Sequence, residues 1–161
     1  MSEPTASLPF MPGYKEMIDA SGGKTLPWSW AVERLDACRN LHLTTVRPDG
    51  RPHVMPIWGI WRKGAFEFST GQQSRKAKNI RKNPHVAVAT DDGSECVIIE
   101  GAAGIMPASS HAAFIAAYAA KYDWEMTDEM APFYVVTPTV VFGIREYGDK
   151  DTGGVTRWAF G

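Results

Sequence analysis

The chain has 161 residues, a formal net charge of −1 and 44% hydrophobic residues. These values predict one domain with its own hydrophobic core, and they exclude a surface that is basic throughout, so we expect no nucleic-acid partner. The two cysteines, Cys38 and Cys96, are far apart in the sequence, which predicts neither a disulfide framework nor a zinc ribbon and favours the reducing cytoplasm. No apolar stretch approaches the roughly 20 residues of a membrane-spanning helix, so we expect no membrane partner.

The N-terminal segment is rich in proline and glycine, a composition that disfavours regular structure. We therefore interpret residues 1–28 as an N-terminal arm and residues 29–161 as one folded domain. Ser29 is a candidate N-cap for a helix from about Trp30 to Arg39, in which apolar residues recur at intervals of three.

From Leu41 onward the pattern changes to extended segments separated by tight turns. Six strands are predicted, at Leu41–Arg47, Arg51–Arg62, Ala65–Thr70, His85–Thr90, Cys96–Met106 and Phe133–Arg145. Pro138 is expected at a bulge or an edge, because proline cannot donate a hydrogen bond to the ladder. Ser109 or Ser110 is a candidate cap for an alanine-rich helix that reaches about Tyr122. The pattern thus predicts a mainly β fold with flanking helices, in which the six antiparallel strands close into a barrel.

The segment most informative about function follows the third strand, where a strand ends and a short helix begins. Ser74 is a candidate N-cap, and Asn83-Pro84 ends the helix because a residue before proline is pushed out of the helical region. The eight residues from 75 to 82 include five basic residues and no acidic one. The basic residues are Arg75, Lys76, Lys78, Arg81 and Lys82.

An anion is the natural partner of this basic segment. The first turn of such a helix offers unpaired backbone N–H groups, the positive end of the helix dipole and the cations Arg75 and Lys76. Hydroxyl donors are added by Ser69, Thr70 and Ser74. A solvated basic face is the alternative interpretation, but the position directly after a strand favours a phosphate site.

Three motifs carry a family resemblance. They are Pro48-Asp49-Gly50-Arg51-Pro52-His53-Val54-Met55-Pro56-Ile57-Trp58, the pair Phe68-Ser69-Thr70-Gly71 and Ser74-Arg75-Lys76-Ala77-Lys78-Asn79, and Thr156-Arg157-Trp158. Together they resemble the pyridoxamine 5'-phosphate oxidase-like flavoproteins, and within them the actinobacterial reductases that use the deazaflavin coenzyme F420. The resemblance covers about Trp30 to Gly161. It implies the FMN-binding split β-barrel, a homodimer, and a cofactor held in a groove between the two subunits.

The resemblance also assigns roles by position. The cofactor phosphate would be held by Ser69, Thr70, Ser74, Arg75 and Lys76. Phe68, which precedes them in the strand, is also assigned to the cofactor site. The ring would lie against His53, Val54, Met55 and Pro56. Trp158 is expected at the dimer interface, as a contribution from the partner chain. No side chain is expected to act as a catalytic group, because the cofactor carries the hydride chemistry, and the four scattered histidines lack the spacing of metal ligands.

The choice of cofactor depends on the later cations of the basic segment. F420 and FMN each present a ring system, a ribityl chain and a phosphate, but the acidic tail of F420 would gain from Lys78, Arg81 and Lys82. We therefore expect F420, with FMN as the alternative. The pyridoxamine phosphate oxidases proper have arginine where this chain has His53, so we do not expect vitamin B6 oxidation.

The predicted reaction is hydride transfer from reduced F420 to an unsaturated organic acceptor such as an enone, a quinone or a tetrapyrrole. An FMN-dependent oxidoreductase of the same fold and a non-catalytic cofactor carrier or sensor are the alternative hypotheses.

Overall fold

A computed structural model describes residues 3–161, apart from the side chains of residues 147–149, and in this range the chain forms nine β-strands and four α-helices. The strands are β1 Thr5–Ser7, β2 Leu41–Val46, β3 Pro52–Ile57, β4 Gly59–Arg62, β5 Ala65–Ser69, β6 His85–Thr90, β7 Glu95–Ile105, β8 Phe133–Asp149 and β9 Gly153–Ala159. The helices are α1 Lys15–Ala20, α2 Trp28–Ala37, α3 Arg75–Ile80 and α4 His111–Tyr122, with short 3₁₀ turns at Ala108–Ser110 and Asp128–Met130.

The strands pair antiparallel in the order β1-β9-β8-β7-β6-β2-β3, and the β4–β5 hairpin joins this sheet through β8. The long strand β8 therefore pairs with β7, β9 and β5 and connects the two parts of the barrel. Although β3 and β4 are separated by Trp58 alone, β3 pairs with β2 and β4 with β5, so the barrel is split between them. The predicted split β-barrel with flanking helices is confirmed.

The strand β3 lies at the open edge of the sheet. Its two prolines, Pro52 and Pro56, suit this position because an edge strand has one side on which no N–H group has to donate to a neighbour. Pro138 also behaves as predicted, since the register of β7 against β8 shifts there between Glu100 and Gly101.

Nine strands are present instead of the six predicted, because β1 and β9 are additional and the predicted strand Arg51–Arg62 is divided into β3 and β4. The N-terminal segment contains β1 and α1 rather than irregular structure alone, because β1 gains a partner in β9, which the sequence analysis did not predict. The side chains of β1 are exposed, so they give no alternating pattern. The boundary between an arm and a domain at residues 28 and 29 stays a prediction.

One predicted helix cap, Ser29, is wrong, and the other, Ser110, is correct in position only. Helix α2 begins at Trp28, because Pro27 with its extended backbone (φ −68°, ψ 150°) occupies the N-cap position, so Ser29 lies inside the helix. Ser110 precedes α4, but its side chain accepts no capping hydrogen bond, and the 3₁₀ turn has already brought its backbone to φ −97° and ψ −11°. Neither hydroxyl is needed to start its helix.

The core has two parts, and the larger one contains the buried apolar residues of α3. The larger part packs α2 against the sheet and includes Ala77 and Ile80 from α3. The smaller part lies under α4 and is built around Phe114 and Phe133. Among the described residues, no helix has the length and apolar character needed to cross a membrane.

Candidate functional site

The basic segment forms the short helix α3, and its first turn is built as predicted. The Ser74 backbone is extended, and its Oγ accepts a hydrogen bond from the Ala77 N–H at 3.2 Å, which confirms the cap. The Thr70 Oγ1 lies 3.2 Å from the same Oγ and joins the end of β5 to the helix. Because Ala77 and Ile80 are buried, the cations Arg75 and Lys78 remain exposed on the outer side.

A buried polar contact connects α3 to the sheet, and the sequence analysis did not predict it. Asn79 is fully buried, and its Nδ2 donates a hydrogen bond to the Thr45 Oγ1 at 2.9 Å. The buried Thr45 hydroxyl in turn donates to the His53 carbonyl oxygen at 3.4 Å. The chain of contacts therefore runs from α3 through β2 to the edge strand β3. The signal in the sequence is a polar residue, Asn79, between the two inward-facing positions Ala77 and Ile80.

The edge strand β3 presents the four residues predicted to line a ring. His53 pairs with Thr45, and Met55 pairs with Leu43, so both share the side of the sheet that faces the core and α3. Val54 and Pro56 point to the opposite side. Val54 and Met55 are 53% and 42% exposed, which leaves apolar surface at an open sheet edge. One flat ring can therefore contact the side chains of one of these pairs, together with the backbone of the strand.

The charges around His53 are positive. The pKa of His53 is lowered, first by loss of hydration and then by the nearby cations Arg47, Lys76 and Arg75. Burial also lowers the pKa of Lys76. Within the described range, Arg75, Lys76 and Lys78 make no ion pair with a carboxylate. The region where α3 meets β3 therefore carries uncompensated positive charge, which suits an anion.

The comparison with protein families gives one match. The sequence pattern described as pyridoxamine 5'-phosphate oxidase matches residues 31–144, which is more than half of the chain. The chain belongs to this family. The predicted resemblance to the pyridoxamine 5'-phosphate oxidase family is thereby confirmed.

Solved structures agree with the family assignment. An F420 reductase is 29% identical, with a TM-score of 0.55, over 68% of this chain and 93% of the other. General Stress Protein 26 from Bacillus anthracis is 22% identical, with a TM-score of 0.59, over 72% of this chain and 92% of the other. An FAD-binding protein from Mesorhizobium loti is 20% identical, with a TM-score of 0.60, over 85% and 98%. The last two likenesses show the fold alone. No protein with a curated description matched the chain.

Two residues assigned from the family resemblance lie elsewhere than predicted. Trp158 is 1% exposed and packs edge-on against Trp28 at 5.2 Å, inside the core of its own chain. Its assignment to an intersubunit groove is wrong, because β9 pairs with β8 of the same chain and carries the indole inward. Phe68 is fully buried and stacks on Tyr134 at 5.2 Å, so its side chain is a core residue and cannot contact a cofactor.

The loop before α3 is held by two hydrogen bonds of Gln72, one through its backbone and one through its side chain. The Arg81 Nη1 donates to the Gln72 carbonyl oxygen at 3.2 Å, and the Gln72 Nε2 donates to the Ala131 carbonyl oxygen at 3.2 Å. One part of the Arg81 guanidinium therefore has a structural role. Lys78 and Lys82 are exposed and make no such contact among the described residues.

A separate cavity of about 330 Å³ lies on the outer face of β2, β6 and β7. Its lining includes Thr44, His85 and Glu100 but no lysine or arginine. It therefore lacks the cations that an anionic ligand needs, and the better candidate site is the junction of α3 and β3.

Proposed function

We propose that this chain binds the phosphate-bearing deazaflavin F420 at the junction of α3 and β3 and acts as an F420-dependent reductase. The observation that carries the proposal is the convergence of unpaired cations from α3 with an exposed apolar sheet edge. This convergence is held by the Asn79–Thr45–His53 contacts. The 29% identity with a solved F420 reductase supports the choice of cofactor.

The residues present fit such a cofactor. Its phosphate requires hydrogen-bond donors and positive charge, and these are offered by Ser69, Thr70, Arg75 and Lys76. The Ser74 hydroxyl accepts from the Ala77 N–H, so its own proton is free to donate to Thr70 or to a ligand oxygen. The ring requires an apolar surface, and Met55 supplies it on the side that faces α3.

The mechanism assigns binding and orientation to the protein. When bound, the cofactor supplies the hydride chemistry. The cations on α3 hold its phosphate, and the edge strand excludes water from one side of its ring. In the free protein the lowered pKa of His53 favours the neutral imidazole, which presents one N–H donor without adding charge. The acceptor is proposed to be an unsaturated organic molecule of the enone, quinone or tetrapyrrole type.

The first test is a fluorescence titration of the purified protein with F420 and with FMN. We expect tight binding of F420. The Arg75→Gln and Lys76→Gln variants should each weaken both cofactors by about 10- to 100-fold, because each loses a charge-assisted hydrogen bond worth about 1.5–3 kcal/mol. The control is Lys24→Gln, which changes an exposed lysine between α1 and α2. Tight FMN binding without F420 binding would contradict the choice of cofactor.

The acidic tail of F420 provides a second test of that choice. Replacing Lys78 and Lys82 with glutamine should weaken F420 and leave FMN unchanged, since FMN has no tail for these exposed cations to contact. Equal effects on the two cofactors would contradict the assignment. Oxidation of reduced F420 should follow addition of an acceptor from a panel of enones, quinones and tetrapyrroles. Binding without oxidation across the panel would identify a carrier or sensor instead.

A homodimer is part of the proposal. The exposed apolar side chains of Val54 and Met55 at the open edge of the sheet support it, because such an edge is usually covered or charged in a monomer. Sedimentation of the purified chain should give twice the monomer mass, and a monomer at micromolar concentration would contradict a dimer-bound cofactor.

A further inference from the structure

Arg47 is a cation next to the candidate site that the sequence analysis did not single out. It follows β2, and its backbone closes the turn to β3: its N–H donates to the Arg51 carbonyl oxygen and its carbonyl oxygen accepts from the Gly50 N–H, both at 2.9 Å. Its side chain makes no hydrogen bond or ion pair with the residues that the structure describes, and its Nε is buried without a partner.

A buried N–H group without a partner costs about 1–3 kcal/mol, so each such group in a native protein calls for an explanation. The neighbouring arginine shows the contrast. Arg51 donates from Nε and Nη2 to the Asp49 carboxylate at 3.0 and 2.7 Å, and its side chain is 73% exposed. The Asp49 charge also acts on Arg47, but the Asp49 carboxylate accepts its hydrogen bonds from the side chain and the backbone N–H of Arg51.

The unpaired Nε of Arg47 is explained by the position of this residue beside other cations. Arg47 lies two residues after Thr45, which contacts both Asn79 of α3 and the His53 carbonyl oxygen. The charge of Arg47, with those of Arg75 and Lys76 of α3, lowers the pKa of the His53 imidazole. Three positive charges around one side chain repel each other unless an anion lies among them. The β2–β3 turn and helix α3 therefore both place positive charge near His53, where an anion would reduce the repulsion.

We propose that Arg47 is a third cation of the phosphate site and determines the preference for phosphate-bearing over phosphate-free cofactors. This inference rests on the proposed function and extends it to a residue outside the motif that follows β5. The guanidinium donates to the phosphate from the side opposite α3, so the anion is held between the β2–β3 turn and the helix.

The test compares FMN with riboflavin, which differ only in the phosphate, and F420 with its deazaflavin core, which lacks both the phosphate and the acidic tail. Arg47→Gln should weaken the phosphate-bearing member of the bound pair by about 10-fold or more, since one charge-assisted hydrogen bond is lost, and leave the phosphate-free member unchanged. The matched control Arg51→Gln should change neither. Equal weakening of both members, or equal effects of the two substitutions, would overturn the proposal.

A second measurement needs no cofactor. The pKa of His53 is measured by NMR in chloride and in inorganic phosphate, with its resonance assigned through His53→Gln. Phosphate should raise this pKa in the wild type and in Arg51→Gln, because an anion in the site favours the protonated imidazole, and the rise should be lost in Arg47→Gln.

The two measurements separate the two proposals. If no ligand pair binds the wild type, the proposed function fails, while a phosphate effect that depends on Arg47 still supports the anion site. If F420 or FMN binds tightly but neither its affinity nor the phosphate effect depends on Arg47, the proposed function stands and this inference is wrong.

Discussion

The contact between Asn79 and Thr45 makes a quantitative prediction about stability. Thr45→Val keeps the shape of the side chain but removes the hydroxyl that accepts from the Asn79 Nδ2 at 2.9 Å. Both side chains are fully buried, and the Asn79 Oδ1 already lacks a partner. The substitution would therefore leave both ends of a buried amide without hydrogen bonds.

The magnitude follows from the burial of the amide. A buried polar group that loses its partner costs about 1–3 kcal/mol, so the free energy of unfolding should fall by that amount. For a chain of this size, each 1 kcal/mol lowers the melting temperature by about 2–4 °C. The double variant Thr45→Val with Asn79→Leu should recover part of the loss, because replacing both polar partners by apolar groups removes the unsatisfied amide.

The assay is urea unfolding of the cofactor-free protein at fixed protein concentration, with the melting temperature as a second readout. The matched control is Thr44→Val, the neighbouring residue on the outer face of β2, which should change stability by no more than about 0.5 kcal/mol. If Thr45→Val and Thr44→Val unfold alike, the buried contact does not hold α3 against the sheet and the reasoning fails.

Further predictions concern single residues of the site and the barrel. By NMR, the pKa of His53 should lie below its ordinary value and should rise in Lys76→Gln. Because the unfolded chain binds this proton more tightly than the folded wild-type protein, the free energy of unfolding should fall as the pH drops from the ordinary value toward the native pKa. Ser74→Ala should cost about 0.5–2 kcal/mol in urea unfolding because α3 loses its N-cap, and an unchanged midpoint would argue against the cap. Gly101→Ala should destabilise by about 1–3 kcal/mol, because a Cβ there would lie 2.2 Å from a backbone carbonyl oxygen of β8, whereas Gly104→Ala, with open space around it, should be tolerated.

Local patterns in the sequence predicted the elements near the site well. Alternation and turn residues predicted β2 and β6, and Ser74 was correctly predicted as the cap of α3. These features depend on neighbours within a few residues. The same holds for the bulge at Pro138, since the missing N–H of proline is a property of that residue alone.

Contacts between distant segments were not predictable in this way. Thr45 and Asn79 meet because β2 and α3 pack together, and no local pattern reports that pairing. Arg47 belongs to the β2–β3 turn, yet its charge acts on His53 together with the charges of Arg75 and Lys76 from α3. Trp158 was expected at an interface from the family resemblance, but the pairing of β9 with β8 buries it in the core.

Native mass spectrometry of the purified chain with equimolar F420 and FMN tests the central claim most directly, because it reports both the cofactor and the assembly. We expect a homodimer that carries the mass of F420, and we expect this mass to be lost in the combined Arg75→Gln and Lys76→Gln variant. A dimer or monomer that carries neither cofactor at concentrations well above micromolar would contradict the proposed function.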